Sequence, residues 1–68
     1  MKLAERLKAL RLENHLKQEE AAKELGISMR TYCRYEYGER EPTASALWRM
    51  ADFYNVSIDY MVGRTDER

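Results

Sequence analysis

Apolar residues recur along this chain at helical spacing, and short polar or glycine-containing breaks separate the runs. Leu3, Leu7 and Leu10 stand at i, i+4 and i+7, which predicts one apolar stripe on a helix from about Lys2 to Asn14. Arg11 falls on the edge of that stripe, an unusual place for a charge, and Leu12 points away from it. A second helix is predicted from about Gln18 to Leu25, with Ala21, Ala22 and Leu25 inward. Gly26 suits a left-handed C-cap, Ile27 plugs the turn, and Ser28 can cap the next helix. That third helix, about Met29 to Tyr37, places Tyr32, Tyr35 and Glu36 on one side. Arg30, Arg34 and Tyr37 then face the opposite way, with Cys33 on the flank. Gly38 stops this helix, and residues 39–43 form a loop containing Pro42. Thr43 caps a fourth helix to about Tyr54, with Leu47, Met50, Ala51 and Tyr54 toward the core. Ser57 caps a last short helix, Ile58 to Val62, ended by Gly63. The charged segment 64–68 is expected to fray.

Composition narrows the class. The 68 residues are expected to form one domain, 1–68, with a thin core and no second, ligand-sensing domain. Hydrophobic residues at 44% and few, scattered β-branched ones point to an all-α fold. One cysteine cannot form an internal disulfide, and no Cys/His pair has metal-ligand spacing, so neither metal nor cofactor is expected. No apolar run approaches membrane-spanning length and the N-terminus does not read as a signal peptide, so a cytoplasmic protein is expected. Twelve basic and twelve acidic residues cancel. A nucleic-acid partner therefore requires the positive charge to be segregated onto one face.

Residues 18–37 carry the function. An eight-residue helix, a Gly-containing turn and a second short helix make a helix-turn-helix pattern. Arg6-Leu7-Lys8, Arg11, Gln18-Glu19-Glu20-Ala21-Ala22, Leu25-Gly26-Ile27-Ser28, Tyr35-Glu36, Gly38-Glu39-Arg40-Glu41-Pro42 and the run 57–66 occur in one order. In these segments the chain resembles the XRE family of Cro/repressor-type helix-turn-helix domains, over nearly its whole length. The resemblance implies a compact, lambda-repressor-like five-helix bundle whose third helix lies in the major groove of double-stranded DNA.

Arg30 and Arg34, one turn apart on the solvent face of the third helix, could reach base edges, and Arg is the usual bidentate partner of guanine. The resemblance places base contacts at Met29, Arg30, Cys33 and Arg34. It also implies that Gln18, at the start of the second helix, is a phosphate ligand, with Lys17, Tyr37 and Arg40 as further candidates. Arg11 and Glu36 lie on facing core surfaces and should pair, and the family carries such a pair at these positions. A two-fold dimer on a palindromic operator is implied, with Ile58, Tyr60 and Val62 as contact candidates. Trp48 joins them because the fourth helix fills its core face without it; alternatively, Trp48 caps the small core from the side.

Two departures from the family pattern stand out. Ala21 is smaller and Tyr32 larger than usual, which reads as a compensating volume swap; Tyr37 replaces a common Asn. Cys33 reads as a small filler beside DNA rather than a redox switch. His15 reads as a solvated loop residue, and Glu19, Glu20 and Glu24 as an exposed face. No nucleophile–base pair can be assembled, so an enzyme is not expected. The expectation is a homodimeric, sequence-specific repressor with no small-molecule ligand; the alternative is an antitoxin-like or accessory protein-interaction module.

Overall fold

The computed structural model describes residues 1–68 and contains five helices: α1 (Leu3–Glu13), α2 (Gln18–Leu25), α3 (Met29–Glu36), α4 (Ala44–Tyr54) and α5 (Ile58–Val62). Local chemistry explains most boundaries. The Ser28, Thr43 and Ser57 hydroxyls accept from the backbone N–H groups of Thr31, Ala46 and Tyr60 at 3.0–3.1 Å, capping α3, α4 and α5. Lys2, Asn14 and Tyr37, expected inside helices, serve instead as their caps. Two turns use left-handed backbone at residues other than glycine, His15 (φ 58) after α1 and Asn55 (φ 56) after α4. Asn tolerates that conformation well, whereas His15 adopts it at a position that the sequence marks only as a loop.

The core collects Leu3, Leu7 and Leu10 from α1, Ala21, Ala22 and Leu25 from α2, and Tyr32 and Tyr35 from α3. Met50, Ala51 and Tyr54 of α4 and Met61 of α5 complete it. α3 packs on α1 and α2, while α5 bridges α1 and α4. Ala21 and Tyr32 are both fully buried, and the Tyr32 hydroxyl lies 3.3 Å from that of Tyr54, so the large ring keeps a polar partner inside the core. Leu12 is exposed, as its position off the α1 stripe requires.

The tail departs from expectation. Residues 64–68, expected to fray, are folded back over α1. The Arg6 guanidinium donates to the carbonyls of Tyr60 and Thr65 and to Asp66 Oδ1, the last at 2.6 Å. Arg68 makes a bidentate pair with Glu13 at 2.6 and 2.7 Å, and its carbonyl accepts from Ser57 N. Charged residues near a chain end favour fraying only while they lack partners; here α1 supplies two.

Candidate nucleic-acid interface

α2, the turn and α3 form a rigid unit because each joint is satisfied locally. Gly26 adopts φ +69 and Ile27 N–H reaches back to the Ala22 carbonyl at 3.1 Å, a hydrogen bond that closes the end of α2. Ile27 packs against the core cluster and Ala22 is buried, which lets α2 and α3 approach closely. The turn therefore fixes where α3 points before any long-range contact is counted.

α3 is sharply two-sided. Tyr32, Tyr35 and Glu36 are buried, while Met29, Arg30, Arg34 and Tyr37 are exposed and Cys33 is half-buried on the flank. Neither Arg30 nor Arg34 has a carboxylate within 4 Å. The paired arginines are Arg6, Arg11, Arg64 and Arg68, all elsewhere in the fold. Lys17 and Arg40, likewise without a carboxylate partner, are exposed on either side of this unit. On a chain of zero net charge, α3 thus presents two exposed arginines that no acidic partner engages.

Behind that face sits a buried ion pair. Arg11 Nε and Nη2 donate to Glu36 Oε2 and Oε1 at 2.6 and 3.1 Å, and Arg11 Nη1 donates to the Leu16 carbonyl at 2.9 Å. Only 1% of the Glu36 side chain is exposed. Burial pushes the Glu36 carboxyl up, but hydrogen bonds from Arg11, Tyr32 and Gln18 outweigh it and hold the group below the usual carboxylate range. The Glu36 hydrogen bond in turn raises the Arg11 guanidinium. The pair ties α1 to α3, and Gln18 Nε2 joins it by donating to Glu36 Oε1 at 3.2 Å and toward the Tyr37 hydroxyl at 3.4 Å.

Comparison with known proteins agrees with this geometry. The helix-turn-helix family model HTH_3 matches residues 7–61. The chain belongs to the helix-turn-helix family of XRE type. It is 44% identical to the "Cryptic phage CTXphi transcriptional repressor RstR" of Vibrio cholerae serotype O1, over 98% of this chain and 62% of that protein. It is 36% identical to the "HTH-type transcriptional regulator ImmR" of Bacillus subtilis, over 97% of this chain and 52% of that one. Among solved structures it is similar to a transcriptional regulator from Listeria innocua, with a TM-score of 0.85 and 36% identity, covering 97% of this chain and 62% of that one. The chain therefore spans between half and two thirds of the length of these relatives.

The residues expected at a dimer contact differ in exposure and in their partners within the chain. Trp48 is 62% exposed, so it does not cap the core from the side. Ile58 is also exposed, and Val62 lies four residues on, along the same flank of α5. Tyr60 lies on the other flank, packed against α1. The Arg6 guanidinium sits 4.1 Å from its ring centre and that of Arg68 5.4 Å, so Tyr60 is engaged within the chain. Sequence reasoning missed two participants, Arg6 and Arg68. Charge alone could not have revealed them, since each meets partners more than fifty positions away.

Proposed function

We propose that this chain is a sequence-specific, double-stranded-DNA-binding unit of a phage-type transcriptional repressor, acting in the cytoplasm by binding and not by catalysis. The observation that carries this reading is the outward face of α3, where Arg30 and Arg34 are exposed and free of acidic partners beside Met29 and Cys33. A recognition helix lies in the major groove, where arginine can donate two hydrogen bonds to guanine O6 and N7. Met29 and Cys33 supply apolar contact on the flank. Lys17, Tyr37, Arg40 and the start of α2 at Gln18 meet phosphates on either side and set the register without reading sequence. The names of the V. cholerae and B. subtilis relatives, a repressor and a regulator, point the same way.

The molecule measures 28 × 23 × 19 Å, shorter than the roughly 34–36 Å between half-site centres of a two-fold operator. One copy therefore reads one half-site, and a homodimer reads a palindrome. Trp48, Ile58 and Val62 supply exposed or half-exposed apolar surface for the second copy. Occupying a promoter then blocks transcription by exclusion.

The deciding experiment is selection of bound duplexes from a random library by the wild-type chain and by Arg34→Ala. The wild type should enrich a symmetric site. The variant should melt at the same temperature yet lose about 1–3 kcal/mol of discrimination at one symmetric base position. Retention of no duplex even at low ionic strength would sink the proposal. Unchanged base preference in both Arg34→Ala and Arg30→Ala would instead favour a protein-interaction role.

A further inference from the structure

The side chain of Gln18 has little left to offer a phosphate. A carboxylate can only accept hydrogen bonds, so the amide end facing Glu36 Oε1 at 3.2 Å must be the nitrogen. That nitrogen carries two hydrogens, and the second is directed at the Tyr37 hydroxyl oxygen, 3.4 Å away. The remaining polar atom of the amide, Oε1, is an acceptor and would repel a phosphate oxygen. Glu36 is itself held by Arg11 at 2.6 and 3.1 Å, so Gln18 is tied to a buried anchor and is not a free surface amide.

The same geometry determines what Tyr37 can do. An amide N–H cannot accept, so the Tyr37 oxygen is the acceptor and its own O–H proton remains available. Tyr37 is 63% exposed and caps α3 on the side that carries Arg30 and Arg34. We infer that the Tyr37 hydroxyl is the side-chain donor to a DNA phosphate at this edge, and that Gln18 is a positioning residue that aims it. This inference rests on the DNA-binding reading above. It gives Gln18 a role different from the direct phosphate contact that the family resemblance implies.

The test measures affinity for the duplex selected by the wild-type chain. Tyr37→Phe removes one oxygen from an exposed ring and should leave the melting temperature unchanged. It should weaken binding about tenfold, the size expected for a hydrogen bond to a charged group. Base preference should not move, because a phosphate contact carries no sequence information. The salt slope should not move either, since the lost donor is neutral and releases no counterion. Gln18→Ala should cost a similar factor in the wild-type background but less than twofold in the Tyr37→Phe background. Gln18→Met, which keeps the chain length, serves where Gln18→Ala melts too low for the assay.

A loss under twofold for Tyr37→Phe would overturn the inference. So would a full tenfold loss for the Gln18 substitution in the Tyr37→Phe background, which would make the amide itself the phosphate ligand. Absence of any selected duplex for the wild type would remove the DNA-binding reading and this inference with it, an outcome distinct from both.

Discussion

Arg11 is the residue on which the most depends, because it makes a buried carboxylate tolerable. Its side chain is 10% exposed and that of Glu36 1%, so neither charge can turn to water for solvation. Arg11→Ala should destabilise the fold by about 3–5 kcal/mol in urea melts, since it leaves an uncompensated buried charge. The pH dependence follows from the direction of the Glu36 shift. A carboxyl held below its unfolded value contributes stability that is complete above the unfolded range and is lost as pH falls through the folded value. Removing Arg11 leaves burial, the largest influence on Glu36, opposed only by Tyr32 and Gln18, and should reverse that shift. The Arg11→Ala variant should then gain stability on acidification where the wild type loses it. Parallel acid limbs in the two melts would contradict the assignment.

Single residues close most of the elements, and their effects can be ranked. Gly38 and Gly63 both have left-handed backbone, with φ 72 and 89. An alanine at either position meets the steric cost of that conformation, about 1–2 kcal/mol. A Cβ at Gly38 would touch only Ala4 Cβ at 3.8 Å, ordinary contact, whereas at Gly63 it would lie 2.9 Å from Lys2 Cβ and Cγ. Gly63→Ala should therefore lower the melting temperature more than Gly38→Ala, because α5 must move away from the start of α1. Equal shifts would mean that the Lys2 side chain yields freely. The reading of α2, the Gly26 turn and the Ser28 cap of α3 from the sequence succeeded because capping and the left-handed turn act over three or four residues. The left-handed His15 closes α1 by local hydrogen bonds as well, His15 N–H to the Leu12 carbonyl and Leu16 N–H to the Arg11 carbonyl, but on a residue type that does not announce such a turn.

Across the whole molecule, the distribution of charge matters more than its sum. Paired arginines bind the tail and the core together, while Arg30 and Arg34 on α3 are left without acidic partners although the chain has zero net charge. The pairs are unequal. Glu13 and Arg68 are each half-exposed, and substituting either should cost little, because solvent screens the pair. Arg6 is 12% exposed and holds Tyr60, Thr65 and Asp66 at once. Arg6→Ala should cost about 1.5–3 kcal/mol and release the tail, seen as faster amide exchange at Ser57. Similar losses for Arg6→Ala and Arg68→Ala in thermal melts would refute this ranking.

By itself the sequence determined the five helices, the Ser28, Thr43 and Ser57 caps and which side of α3 faces out. Each of these follows from the 3.6-residue period and from interactions between neighbours in the chain. It also implied the meeting of Arg11 and Glu36, since two charges on apolar faces have few other ways to be buried. The direction of the Gln18 amide, the engagement of Tyr60 by two guanidinium groups and the docking of residues 64–68 were decided only in three dimensions. A periodic pattern states that a residue lies at the boundary of a face. Which of several partners it meets there depends on how α1, α3 and α5 cross, and that crossing is set by the packing of all five helices at once.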